Sequence, residues 1–331
     1  MHLERPKPRG SALWSLPPTS NVLMSDPKLY PLPAWTRIAI TGADRQNFIN
    51  NFCTNNIRTL AVGAGLEAFI TDIKGHALGH GWFWAMENEL LFDTVPGQGG
   101  AMVAHWDRYL IRERVEFEDR TENTAFWCIA GEEAAQVLAR FGNAPTDLMH
   151  TATLQIAGCA VLAARVPWLR EPSWLLSGEA RFRPLVEDAL LAADVTKKTT
   201  ADWNAARIAA RLPLYGQDIS SENLPQELAR DKQAISFTKG CYLGQEPIAR
   251  IDALGHVNKL LVGLRAMQPM IAEVALPLEL TFEGKTIGRV TSLAGVTSAS
   301  SDVPTAVGII RRAQAKAGTI VESSAGTFEV V

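Results

Sequence analysis

Polar and apolar positions alternate from Arg37 to Thr41, as in a strand with one buried face, and Ala43 to Phe52 then switches to a helical period that sets Phe48 and Phe52 one turn apart. Leu66 to Asp72 and Ala77 to Met86 read as strands around Lys74-Gly75. Glu87-Asn88 turns the chain into a third strand, Glu89 to Val95. Gln98 to Tyr109 is broadly amphipathic, and Val115 to Asp119 returns as a strand. This order is the split βαβ type, an antiparallel sheet with helices on one face.

A similar order recurs after Asn123. Ala125 to Ala130 reads as strand, Glu132 to Phe141 as helix, and Thr153 to Ala157 and Ala160 to Val166 as strands joined through Gly158 and Cys159. Trp174 to Leu176 is a further short strand, and Phe182 to Leu191 a helix interrupted early by Pro184. Ala201 to Arg211 is a helix carrying Trp203. From Lys259 only short strand-like runs remain: Leu260 to Leu264, Leu278 to Phe282, Lys285 to Ser292, Thr305 to Arg311 and Thr327 to Val331. Glycines punctuate them, which is the pattern of a small barrel or sandwich. The first 33 residues hold seven of the 18 prolines and read as an irregular extension without the apolar core of a signal peptide.

Composition narrows the class. Apolar residues make up 47% and charged residues 20% of 331, as in a globular chain of two or three domains. A formal net charge of −3 gives no sign of a nucleic-acid-coating surface, so no stable nucleic-acid binding is expected and any contact would be local or indirect. No apolar run is long enough to span a bilayer. Cys53, Cys128, Cys159 and Cys241 form no C-x-x-C pair, zinc cage or iron–sulfur ligand set. Scattered cysteines of this kind fit a reducing, cytoplasmic setting. His76 and His80 lie on a turn and strand with no third ligand, so they read as ordinary polar residues.

The segment Ile235 to Arg250 carries the chemistry. Gly240 and Gly244 flank Cys241, and Pro247 suits the first turn of a helix. Lys239 and the helix dipole would both favour the Cys241 thiolate. The competing reading is a tight turn with an incidental packing cysteine. Lys239-Gly-Cys-Tyr-Leu-Gly-Gln-Glu246 resembles the K-G-C-Y-x-G-Q-E signature of YgfZ-type proteins, folate-binding relatives of the glycine-cleavage T-protein that assist iron–sulfur enzymes. Leu224-Pro-Gln226, the helix from Trp203 to Pro213 and the strand from Trp35 to Gly42 resemble other elements of the family, so the likeness spans roughly residues 34 to 331. Ala209, Ala210 and Arg211 depart from its E-A-G.

The resemblance implies an α+β fold: two ferredoxin-like antiparallel-sheet units of T-protein type and a small C-terminal β-barrel around a ligand channel. It divides the chain into an irregular extension (1–33), a folate-binding unit (34–123 with 200–258), a second unit (124–199) and a barrel (259–331). It implies tetrahydrofolate or a derivative as ligand, and iron–sulfur enzymes such as tRNA-thiomethylating radical enzymes as partners. Cys241 and Lys239 become the reactive pair, with Gly240, Tyr242, Gly244, Gln245 and Glu246 as their motif. Trp35 and Trp203 become stacking surfaces for the pterin, Asp93 a pterin hydrogen-bond partner, and Arg250, Lys239 or Lys259 cations for the glutamate tail. The rival readings are an aminomethyltransferase and a non-catalytic scaffold. Leu214-Tyr-Gly-Gln-Asp218 resembles a T-protein element, but Leu78, Gly79 and His80 follow Gly75 where that enzyme carries paired aspartates, and Asp72 precedes the turn.

Overall fold

A computed structural model describes residues 26–32, 34–268, 274–294 and 305–331. Residues 1–25 and 33, and with them most of the proline-rich stretch, lie outside that description. The chain opens with β1 (Lys28–Leu32), β2 (Thr36–Thr41), α1 (Arg45–Asn50), β3 (Gly65–Thr71), β4 (Ala77–Ala85), β5 (Leu90–Thr94), α2 (Gly99–Asp107) and β6 (Glu116–Asp119). There follow β7 (Thr124–Ala130), α3 (Ala134–Ala139), β8 (Thr151–Ile156), β9 (Cys159–Val166), β10 (Ser173–Glu179), α4 (Arg183–Leu191) and β11 (Thr196–Lys197). Then come α5 (Thr200–Ala209), α6 (Asp231–Ala234), α7 (Gln245–Leu254) and six strands, β12 (Lys259–Ala266), β13 (Leu278–Phe282), β14 (Lys285–Leu293), β15 (Ala306–Arg311), β16 (Ile320–Ser323) and β17 (Gly326–Val330).

The strands build two sheets and a barrel. The first sheet has the order β3-β4-β5-β2-β6, the second β11-β1-β7-β10-β9-β8, and the barrel closes as β12-β15-β14-β13-β16-β17. Every residue of β4 except Leu78 is buried, because both faces of the first sheet are covered. Phe83 and Ala85 face α1 and α2 with Phe92, Met102 and Trp106. Trp82 and Trp84 face the second sheet with Phe126, Cys128 and Leu175. The far side of the second sheet is closed by Val137 and Leu138 of α3 and Val186 and Leu190 of α4. The layers thus run helices, sheet, sheet, helices, and period-two alternation feeds a different core on each face.

The barrel is joined to the first sheet by the segment from α5 to α7. Ile208, Leu228, Ala234, Tyr242 and Ile248 pack there between Phe69 and Ala77 of the sheet and Leu261, Val307 and Ile309 of the barrel. Thr199 starts α5 with a capping box: its hydroxyl accepts from Asp202 N–H at 3.1 Å, while its own N–H donates to the Asp202 carboxylate at 2.8 Å.

Several local expectations differ from the structure. Lys28–Leu32 falls in the stretch expected to be irregular, yet it pairs with β7 along its whole length and with β11 at Lys28 and Leu29 only. At Pro31 the strand has no neighbour on the β11 side, which is where a sheet tolerates proline. Pro184, read as an interruption, stands in the first turn of α4, where its missing N–H breaks no bond. The strand Ile320–Ser323 carries no alternation strong enough to be read, and closes the barrel through its pairing with β17.

Candidate functional site

The Lys239–Glu246 motif is fastened to two neighbouring stretches of the first sheet's connections. Ser236 N–H donates to Thr54 O at 2.9 Å and the Thr54 hydroxyl to Ala234 O at 2.6 Å. Leu243 N–H donates to Asn51 O at 2.9 Å, and the Thr71 hydroxyl donates to Leu243 O at 2.6 Å. Gly244 adopts φ +84°, and a Cβ there would stand 2.3 Å from Asp72 O. Gly75, in the opposing turn, adopts φ +79° and has Pro247 and Gly244 against it. Two left-handed glycines therefore let two turns touch backbone to backbone.

Between these anchors the chain bends over Phe237 to Lys239, and Lys239 and Cys241 go opposite ways. Lys239 turns inward, with 7% of its surface exposed. Its Nζ donates to Asn50 O at 2.6 Å, Cys53 O at 2.8 Å and Asn55 O at 2.7 Å, and lies 5.0 Å above the Tyr242 ring. Burial pulls its ammonium below the usual lysine range. All three donor positions are used, so the expected activation of Cys241 by Lys239 is corrected: the sulfur that Lys239 approaches is that of buried Cys53, at 3.9 Å. Spacing of two residues cannot show this, because a bend reverses the side on which the next residue projects. Tyr242 is buried, and burial pushes its hydroxyl up. Cys241 is exposed, whereas Cys53, Cys128 and Cys159 are buried. Gly240 has open space where its Cβ would be. Gln245 opens α7 half-buried, and Glu246 and Arg250 project into solvent from it.

The other expected binding residues are brought together only in part. Trp35 and Trp203 share one aromatic cluster, bridged by Trp168 at ring-centroid distances of 5.0 and 6.1 Å. Trp35 also stacks on Trp82 at 5.7 Å, and Tyr30 lies 5.9 Å from Trp203. Only 3% and 5% of Trp35 and Trp203 are exposed, so neither presents an open stacking face. Asp93 is corrected more strongly. It is fully buried, with Arg37 Nε and Nη2 each donating to it at 2.7 Å and Trp84 Nε1 at 2.9 Å. Three donors hold it inside the protein and none of its surface is exposed, so it is not open to a pterin here.

Two features escaped sequence reasoning. His80 is buried, its ring 4.7 Å from Phe69, and its Nε2 lies 2.8 Å from Glu67 Oε1. Glu67 also accepts from Arg230 Nε at 2.8 Å and from Arg230 Nη2. Burial alone would push the Glu67 carboxyl up, but Arg230 and His80 reverse this and bring it down to about 2. The second feature is the backbone of Arg211, which follows the α5 cap at φ +57°. Arg211 is exposed at the surface, where partial desolvation and the neighbouring Arg170 charge lower its guanidinium, and Arg170 lies two residues beyond Trp168. The sequence marks Arg211 only as a departure from the resembled E-A-G; its left-handed backbone is seen in the structure alone.

The GCVT N-terminal domain family matches residues 28–238. This chain belongs to that family, and within the superfamily it is of YgfZ type. It is 25% identical over 254 residues to the tRNA-modifying protein YgfZ of Hamiltonella defensa, covering 75% of this chain and 73% of that one. Its likeness to the Yersinia pestis protein of the same name is 26% over 239 residues, or 71% and 70% of the two chains. A chloroplastic protein of Arabidopsis thaliana is 24% identical over 86% of this chain, which spans 65% of that relative's length. The glycine cleavage system aminomethyltransferase T of Bartonella henselae superposes with a TM-score of 0.79 at 18% identity, covering 93% of this chain and 85% of that one. That likeness establishes the T-protein-like fold, two sheet units with a closed six-stranded barrel.

Proposed function

We propose that the protein is a cytoplasmic, folate-binding accessory factor that supports iron–sulfur enzymes, including those that modify tRNA, through the Cys241 thiol. The observation that carries the proposal is the setting of that thiol. It is the exposed cysteine of four, on a loop fastened at both ends by Lys239 and Gly244. A thiol held in place but uncovered can attack, accept sulfur or ligate iron in exchange with a partner, which a buried one cannot. The tRNA-modifying relatives support the same direction. Reduced folate is assigned to the Trp35–Trp168–Trp203 cluster, with Trp203 exchanging its ring neighbours for the pterin. Arg170 and Arg211 serve the carboxylates of the tail, with Arg250 further along the surface. The test is complementation of a null strain, read by iron–sulfur enzyme activity and tRNA thiomethylation. Cys241→Ser is expected to fail while Ala variants of the three buried cysteines succeed; full complementation by Cys241→Ser would overturn the assignment.

A second reading, tetrahydrofolate-dependent aminomethyl transfer, is favoured by the fold. Against it stand Leu78, Gly79 and His80, which follow Gly75 where the T-protein carries paired aspartates, and Glu67, whose carboxylate is occupied by Arg230. Turnover near one per second with the other glycine-cleavage components would support this reading and reject the first.

A further inference from the structure

A cavity of about 430 Å³ that the functional assignment above does not use opens between the barrel and the loop leading to Asn223. Its lining includes Lys259, Arg289, Arg311, Glu222, Glu279 and Ile309. Lys259 of β12 and Arg311 of β15 are direct cross-strand partners. Like charges placed opposite each other in a ladder are destabilising. Among the described residues neither side chain has a hydrogen bond or an ion pair to offset this. Arg289 of β14 lies across from Ile309, the β15 residue two before Arg311. Its contact with Glu222 is loose, at 3.8 Å between exposed side chains. The Glu279 carboxylate accepts from the Thr286 hydroxyl at 3.1 Å.

We infer that this cavity binds a phosphate monoester, with the phosphoryl group between Lys259 and Arg311 and in reach of Arg289. Two adjacent cations call for two charges on one group. A phosphoryl group brings nearly that near neutral pH, whereas a carboxylate brings one. Arginine's fork and lysine's compact ammonium are the usual phosphate contacts. The volume exceeds a bare phosphate and falls in the range of small-molecule sites, so Ile309 and Pro277 are left for an organic body. The inference is independent of the folate reading.

The test is calorimetric titration of the full chain with inorganic phosphate, glycerol phosphate and triglutamate at constant ionic strength. Both phosphates are expected to bind, more tightly at pH 7.5 than at 5.5 as the second proton leaves. Lys259→Gln/Arg311→Gln should weaken them at least tenfold while keeping its melting temperature, since a repulsive pair has been removed; Lys259→Gln alone serves if the double variant does not fold. Absence of phosphate binding, equal affinity in a folded variant, or triglutamate binding as tightly as phosphate would overturn the assignment.

Discussion

Lys239 and Cys241, two residues apart, stand in opposite settings: the first is buried and fully hydrogen-bonded, the second exposed. Removing the Lys239 ammonium leaves three converging carbonyls without their donor, in a place where water has little access. Lys239→Met should therefore cost about 2–4 kcal/mol, visible as a lower urea midpoint. Cys241→Ser should melt within a few degrees of wild type, because the exposed thiol holds nothing together. Alkylation of the native protein should label Cys241 first. Burial shields Cys53 and Cys128 and raises both thiols. A wild-type midpoint for Lys239→Met would show that the three carbonyls do not need the ammonium. Glu67 makes a prediction in pH. Its folded value of about 2 lies below the ordinary 4.5, so its contribution is complete above about 4.5 and is lost as pH falls towards 2. The amount is on the order of 3 kcal/mol. Glu67→Gln should be less stable at pH 7 and should flatten that part of the acid-denaturation curve.

The contact that positions α7 is between turns. Gly244 must adopt a left-handed backbone and pass within contact of the Asp72 carbonyl. Gly244→Ala adds about 1–3 kcal/mol of backbone strain and a collision that the turn at Asp72–Gly75 must yield to. Gly240→Ala meets nothing and needs no positive φ, so it should fall within about 0.5 kcal/mol of wild type. Chemical denaturation of the pair checks both. Similar midpoints for the two variants would show that the turns part freely. The repeated sheets, the strands around Lys74-Gly75 and a helix start near Pro247 were legible from alternation and turn residues. β1 was not, because prolines mask a strand whose partners lie a hundred residues away.

For the whole molecule, the proposed folate binding turns on how the aromatic cluster between the sheets responds to a ligand. Tetrahydrofolate is expected to quench the intrinsic tryptophan fluorescence. Trp203→Ala should weaken binding by about 1–3 kcal/mol, by analogy with base stacking on aromatic side chains. It should also cost about 3–5 kcal/mol of stability, since the ring is packed. Trp203→Phe keeps more of the packing and separates the two effects. Unchanged affinity in both the Trp35→Ala and Trp203→Ala variants would remove the cluster from the site.

The amino-acid sequence alone determined the alternating strands, the order of the sheet units, the barrel's short runs and the motif around Cys241. Each is local: a period, a turn residue or a contiguous string decides it. Only the tertiary structure decided that Lys239 faces Asn50, Cys53 and Asn55, that Asp93 is spent on Arg37, and that Trp35 and Trp203 meet through Trp168. It also set Lys259 against Arg311. These depend on partners far apart in the chain, and on which way a side chain turns after a bend. Composition and spacing carry neither.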